Sequence, residues 1–145
     1  MSVREATADD IPALIQMGLS MREESPRFRR FTPDFKQQEA VLLALIQSPE
    51  GLVLIGDGAM FVGHINTPLW YSDRVACEEL LFVMPEKRGG PAAFRMIRWF
   101  ERWAKGRGAV EVNTGITVAH HVDETSRLYR KMGYADAGVT FRKEL

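Results

Sequence analysis

The sequence predicts a single mixed α/β domain in which helices surround a sheet, in the order β-α-α-β-β-β-α-β-α-β. Three observations carry that prediction. Short β-like runs alternate with stretches of helical periodicity along the whole chain. Two apolar runs flank Gly56-Asp57-Gly58-Ala59, and an Asp-Gly pair in that setting marks a hairpin. No repeat, low-complexity tract or Pro/Gly/Ser linker divides the 145 residues, so residues 1–145 read as one domain.

Val3-Arg4-Glu5-Ala6-Thr7 is the opening strand. Asp9 or Asp10 then caps a helix that holds Pro12 in its first turn, where the missing N–H costs little. Ile11, Leu14, Ile15 and Leu19 form its apolar stripe. Glu23 to Pro33, with Pro26, Pro33 and charges around Phe28, reads as a loop. A second helix runs from Asp34 to Gln47 and buries Leu42, Leu45 and Ile46. The hairpin strands are Leu52–Ile55 and Met60–Ile65, and Pro68 ends the second. Ala76–Met84 holds the unalternating run Leu80-Leu81-Phe82-Val83-Met84, which suits a strand covered on both faces. Ala92–Gly106 is a helix with Met96, Ile97, Phe100, Trp103 and Ala104 inward, and Gly106 or Gly108 caps its end. Val110–Asn113 is a strand, Asp123 caps a helix through Met132 that Gly133 closes, and Val139-Thr140-Phe141 is the last strand.

With 46% hydrophobic and 10% aromatic residues, the chain can bury a core without disulfides or metal, which excludes a disordered or cysteine-stapled class. Lys plus Arg and Asp plus Glu both number 19, so no global field recruits nucleic acid or anionic lipid. A lone Cys77 fits a reducing compartment. No apolar run approaches the roughly 20 residues of a membrane span, and the N-terminus lacks a signal-peptide pattern. The expectation is a cytoplasmic domain without nucleic-acid, membrane or metal partners. Exposed sheet edges leave room for a homodimer.

The most informative stretch is Val83-Met84-Pro85-Glu86-Lys87-Arg88-Gly89-Gly90-Pro91-Ala92-Ala93, between a buried strand and a long helix. A helix N-terminus offers free N–H donors and partial positive charge, which suit a phosphate. Gly89 and Gly90 permit positive φ and close backbone approach, and Ala92 and Ala93 are small. From Glu86 to Arg107 there are seven basic residues against two acidic ones. A plain turn followed by a solvated basic face accounts for the same residues.

At this point the sequence resembles the GNAT superfamily of N-acetyltransferases. Val3-Arg4-Glu5-Ala6-Thr7 with Asp10 and Leu14 is similar to the family's first strand and helix. Val83-x-Pro85-Glu86-x-Arg88-Gly89 resembles its acetyl-CoA motif, V-x-P-x-x-R-G-x-G-x-G/A, and Glu101-x-Trp103-Ala104-x-x-x-Gly108 continues that helix. Leu128-Tyr129-x-Lys131-Met132-Gly133-Tyr134 resembles the family's L-Y-x-K-x-G-F/Y segment. Two positions depart: Pro91 stands at the first glycine of G-x-G and removes one donor, and Val122 replaces a frequent asparagine. Arg-Gly-Gly together with Ser25-Pro26-Arg27-Phe28 is similar to phage and host members.

The resemblance implies a mostly antiparallel sheet, with acetyl-CoA as co-substrate in a V-shaped opening between the fourth and fifth strands and direct transfer to an amine. By position, the backbone of Leu81, Phe82 and Val83 would hold the pantetheine arm. Arg88, Gly89, Gly90, Pro91, Ala92 and Ala93 would hold the pyrophosphate, with Arg95 as a further cation. Tyr129 matches the tyrosine that protonates the departing thiolate, and Glu79 is the expected general base. Glu78 precedes it on the opposite face, and His64 is a weaker candidate. A packing tyrosine and a solvated carboxylate are the plainer readings of the same residues. Adjacent His120 and His121 point apart, so with Asp123 they make a polar loop rather than a metal site. Trp99 and Trp103 read as packing. Arg27, Arg29 and Arg30 border the implied acceptor cleft. A GNAT-fold module that binds acyl-CoA without useful catalysis is the competing function. A nucleic-acid domain using Arg95, Arg98, Arg102 and Lys105 is the poorest.

Overall fold

An open five-stranded sheet in the order β1-β2-β3-β4-β5 frames the molecule. It is seen in a computed structural model that describes residues 2–116 and 121–145. The strands are β1 (Arg4–Glu5), β2 (Gly51–Gly56), β3 (Ala59–Asn66), β4 (Arg74–Val83) and β5 (Ala109–Asn113). The first three pairings are antiparallel and β4–β5 is parallel. The helices are α1 (Ile11–Glu24), α2 (Phe35–Gln47), α3 (Ala92–Gly106) and α4 (Val122–Lys131). Short 3-10 turns cover Ala8–Asp10, Phe28–Arg30 and Pro85–Lys87.

The expected class and the order of the first nine elements hold. The expected tenth does not: Val139-Thr140-Phe141 is no strand, and residues 134–145 carry neither helix nor strand. Val, Thr and Phe favour extended backbone, but a strand needs a ladder partner, and Val139 and Phe141 lie open to solvent instead. Two caps also differ. Asp10 accepts from the Thr7 amide (2.8 Å) and from both terminal guanidinium nitrogens of Arg4, which holds its carboxyl far below the usual range. Asp10 thus holds the expected N-cap position of α1, but its carboxylate locks the preceding turn and bonds no α1 amide. Asp123 lies inside the first turn of α4, where His121 takes the cap position with φ of +52°. Asp34 caps α2, accepting from the Gln37 amide at 3.0 Å, so the helix starts one residue later than expected.

The period-two pleat divides the core between the two faces of the sheet. Leu52, Leu54, Phe61 and Ala76 meet Met96, Phe100 and Ala104 of α3 on one face. Val53, Met60, Val62 and Phe82 meet α1 and α2 on the other. No helix among the described residues is long and apolar enough to cross a membrane.

One irregularity positions the site. Val62 pairs with Leu80 but Gly63 pairs with Glu78, so Glu79 is an extra residue on β4. That bulge breaks the alternation. Leu80 and Glu79 both reach the α1/α2 face, while Glu78 keeps to the α3 side. Gly63 is what lets Phe100 close over this spot, since an added Cβ would lie 3.0 Å from both Phe61 and Phe100. We expect Gly63→Ala to destabilise the fold by about 1–3 kcal/mol, read as a lower denaturant midpoint with an unchanged slope.

Candidate active site

β5 pairs with β4 only along Arg74–Cys77. Beyond Cys77, β4 runs on to Val83 while the chain after Asn113 leaves the sheet. The two strands thus splay, and a cavity of about 600 Å³ opens between them, within the range of small-molecule sites. Glu78, Glu79, Leu80, Leu81, Phe82 and Val83 form one wall, and Gly115, Ile116, Leu128 and Tyr129 form the other. The expected backbone segment Leu81–Val83 therefore lines the opening.

At the upper end stands the turn into α3. Gly89 has φ of +86°, which suits glycine, whereas Gly90 has no positive φ, contrary to the expectation for the pair. Pro91 is the cap residue of α3. The amides of Gly89, Gly90, Ala92 and Ala93 make no hydrogen bond to the protein among the described residues. Gly89 and Ala93 line the cavity, and an added Cβ at Gly89 would meet nothing within 4 Å. Ala92 is 3% exposed in the core cluster with Met96, so its smallness serves packing. Arg88 folds back along β4: its Nε donates to the Val83 carbonyl (3.0 Å) and its guanidinium is bidentate on Glu24. Arg95 leans towards Asp57 at 3.7 Å.

At the lower end, α4 delivers Tyr129 into the cavity wall, 7% exposed and in ring contact with Tyr134 at 5.3 Å. Its hydroxyl lies 3.4 Å from Glu78 Oε2, the same oxygen that accepts from the Gly115 amide at 3.0 Å. Burial pushes the Glu78 carboxyl up to about 7, against the lowering effect of those two hydrogen bonds. Burial, followed by the Glu78 charge, raises the Tyr129 phenol well above its usual range. Glu79 is more exposed and pairs with His64 Nδ1 at 3.3 Å. The structure therefore brings Glu78, not Glu79, to Tyr129. The pleat placed the two glutamates on opposite faces, but which face meets the cleft is set by where β5 splays.

Among the described residues no group of three His, Cys, Asp or Glu is arranged to hold a metal, and His120 lies outside those residues. The model of the acetyltransferase (GNAT) family matches residues 16–134. The chain belongs to the GNAT acetyltransferase family. Solved structures agree on the fold of this GNAT chain. A variant of the BH1408 protein from Bacillus halodurans superposes with a TM-score of 0.80 at 19% identity, covering 100% of this chain and 99% of that one. A transcriptional regulator from Bacillus halodurans C-125 gives 0.78 at 15%, covering 99% of each. An aminoglycoside 6'-N-acetyltransferase from Acinetobacter haemolyticus gives 0.67 at 19%, covering 100% and 99%. At such identities the likeness speaks for the fold alone. No curated protein matches the chain.

Proposed function

We propose that the chain is an acetyl-CoA-dependent N-acetyltransferase that passes the acetyl group directly to a primary amine. One observation carries the reading: a single opening joins free helix-end amides at its top to a buried carboxylate–phenol pair at its base. The amides of Gly89, Gly90, Ala92 and Ala93 would hold the pyrophosphate, since N–H groups at a helix start favour an anion. Leu81–Val83 would line the pantetheine arm. Arg88 reaches a phosphate only by exchanging Glu24 for it. Acetyl-CoA, when bound, supplies the thioester that is cleaved.

Glu78 suits the base better than Glu79, because a base near pH 7 balances ionisation against proton affinity. Its carboxylate takes the proton that the amine must lose, and the amine nitrogen forms a bond to the acetyl carbon as the carbon–sulfur bond breaks. Tyr129 gives its phenolic proton to the sulfur while Glu78 returns one to the phenol. A phenol raised as Tyr129 is would be a poor acid alone. In the relay, the proton passes from a carboxyl near 7 to a thiolate, the stronger base (a cysteine thiol ordinarily lies at about 8.5), a downhill step.

A carboxylate at the helix start separates cofactor binding from folding. Ala93→Asp should weaken acetyl-CoA binding about tenfold or more by calorimetry, through repulsion of the pyrophosphate. The same charge should stabilise α3 by about 0.3–1 kcal/mol. Unchanged affinity would remove the phosphate site from the account. Thiol release across a panel of amines tests the reaction itself. Tight acetyl-CoA binding without turnover of any amine would leave the non-catalytic acyl-CoA-binding module as the function.

A further inference from the structure

A second cavity, of about 860 Å³, opens between α1, α2 and the sheet face on that side. It touches the first at Met21, Phe28, Glu79 and Leu80, which line both. Its walls are mostly apolar, with Leu14, Leu19, Leu42, Leu45, Met60 and Val62 among the residues that line it. α2 has no fully buried residue, and Val41 is 49% exposed on the rim. A helix whose apolar stripe packs on the core yet stays only partly covered beside a reaction cleft provides a binding wall.

The charged groups at this wall are few and engaged, while Thr32, Gln37 and Gln38 add uncharged polar groups. Arg22 donates to the carbonyls of Phe31 and Arg29 at 3.1 Å each, so its guanidinium holds the Phe28–Arg30 turn. Among the described residues that line the cavity, Asp34 and Glu79 are the carboxylates. Asp34 caps α2. Glu79 remains at the junction, beside His64, brought there by the β4 bulge. An ammonium that meets Glu79 would stand at the mouth of the opening that holds Glu78, with an apolar body behind it. There it loses one proton to solvent, and the neutral amine gives the second to Glu78 as the amide bond forms.

We infer that the acceptor is a monoamine bearing an apolar aryl or alkyl body, seated between α1 and α2 with its nitrogen at Glu79. The inference rests on the acetyl-transfer reading above and adds the substrate class. One carboxylate at the junction, held among the described residues only by the His64 ring, complements one ammonium, whereas a polyamine or an aminoglycoside would bring several cations against leucine and methionine. Burying those charges without partners is costly. The fold shared with an aminoglycoside acetyltransferase therefore does not extend to that substrate.

The test compares phenethylamine, ethylamine, spermidine and kanamycin as acceptors on the full chain, with acetyl-CoA binding measured separately by calorimetry. The expected result is a kcat/KM for phenethylamine at least about tenfold above that for the other three, because each methylene in an apolar pocket is worth about tenfold or more. Val41→Lys, on an exposed rim where folding is not at stake, should raise the KM for phenethylamine about tenfold and leave the KM for acetyl-CoA unchanged. Preference for kanamycin or spermidine, or equal rates with ethylamine, overturns the inference while leaving acetyl transfer intact. If acetyl-CoA does not bind, the acetyl-transfer reading falls, and direct titration with phenethylamine decides the groove. No binding there, or a dimer that covers the groove and excludes phenethylamine, overturns it.

Discussion

Tyr129→Phe should lower kcat about 10²- to 10⁴-fold while acetyl-CoA binds almost as before. The ring stays, so the contact with Tyr134 and the buried side of α4 persist and only the hydroxyl is lost. Two signatures separate a proton relay from packing. The thermal midpoint should barely move. The ascending limb of the pH–rate profile should also shift to higher pH, because the phenol's hydrogen bond lowers the Glu78 carboxyl and its removal lets that carboxyl rise further. Saturating kinetics in both substrates, followed from pH 6 to 9, give both readings. An unchanged kcat on a working acceptor would remove Tyr129 from the chemistry.

Glu78→Gln should cost turnover about 10²-fold or more, and it should make the protein more stable at pH 8. The two effects have opposite signs for one physical reason. A carboxyl held near 7 in the folded chain and near 4.5 when unfolded binds protons more tightly in the native state. Its contribution to stability is therefore fully present below about pH 4.5 and is lost as pH rises to about 7. Glutamine keeps the shape and cannot ionise, so it escapes that loss. We expect a gain on the order of 1 kcal/mol at pH 8, or about 2–4 °C in Tm for a chain of this size, vanishing near pH 4. The rising limb of the wild-type profile near pH 7 should disappear with the same substitution. Full activity in Glu78→Gln, with loss of activity in Glu79→Gln, would return the base to Glu79.

Much of this was legible in the sequence because the signals are local. The Asp57-Gly58 hairpin, the α3 stripe and the turn from Arg88 to Ala93 each depend on neighbours within a few residues. What was not legible depends on partners far along the chain. The bulge at Glu79 exists only in the register of β4 against β3. Glu78 acquires its properties from Gly115 and Tyr129, 37 and 51 residues away. Reading the two glutamates by pleat alone put them on opposite faces but could not say where β5 parts from β4. Val139-Thr140-Phe141 failed for a related reason: extended propensity makes no strand where no neighbour offers a ladder. The groove between α1 and α2 was also hidden, since Leu42 and Leu45 have the spacing of core residues whether the core closes over them or a ligand does.

The most direct measurement is a titration of the isotope-labelled protein with acetyl-CoA, followed through its amide resonances. The amides of Gly89, Gly90, Ala92 and Ala93 should show the largest shifts, saturating together with those of Leu81–Val83. If saturating acetyl-CoA leaves those four amides where they were, the turn into α3 is not a phosphate site and the proposed reaction has no place in this fold.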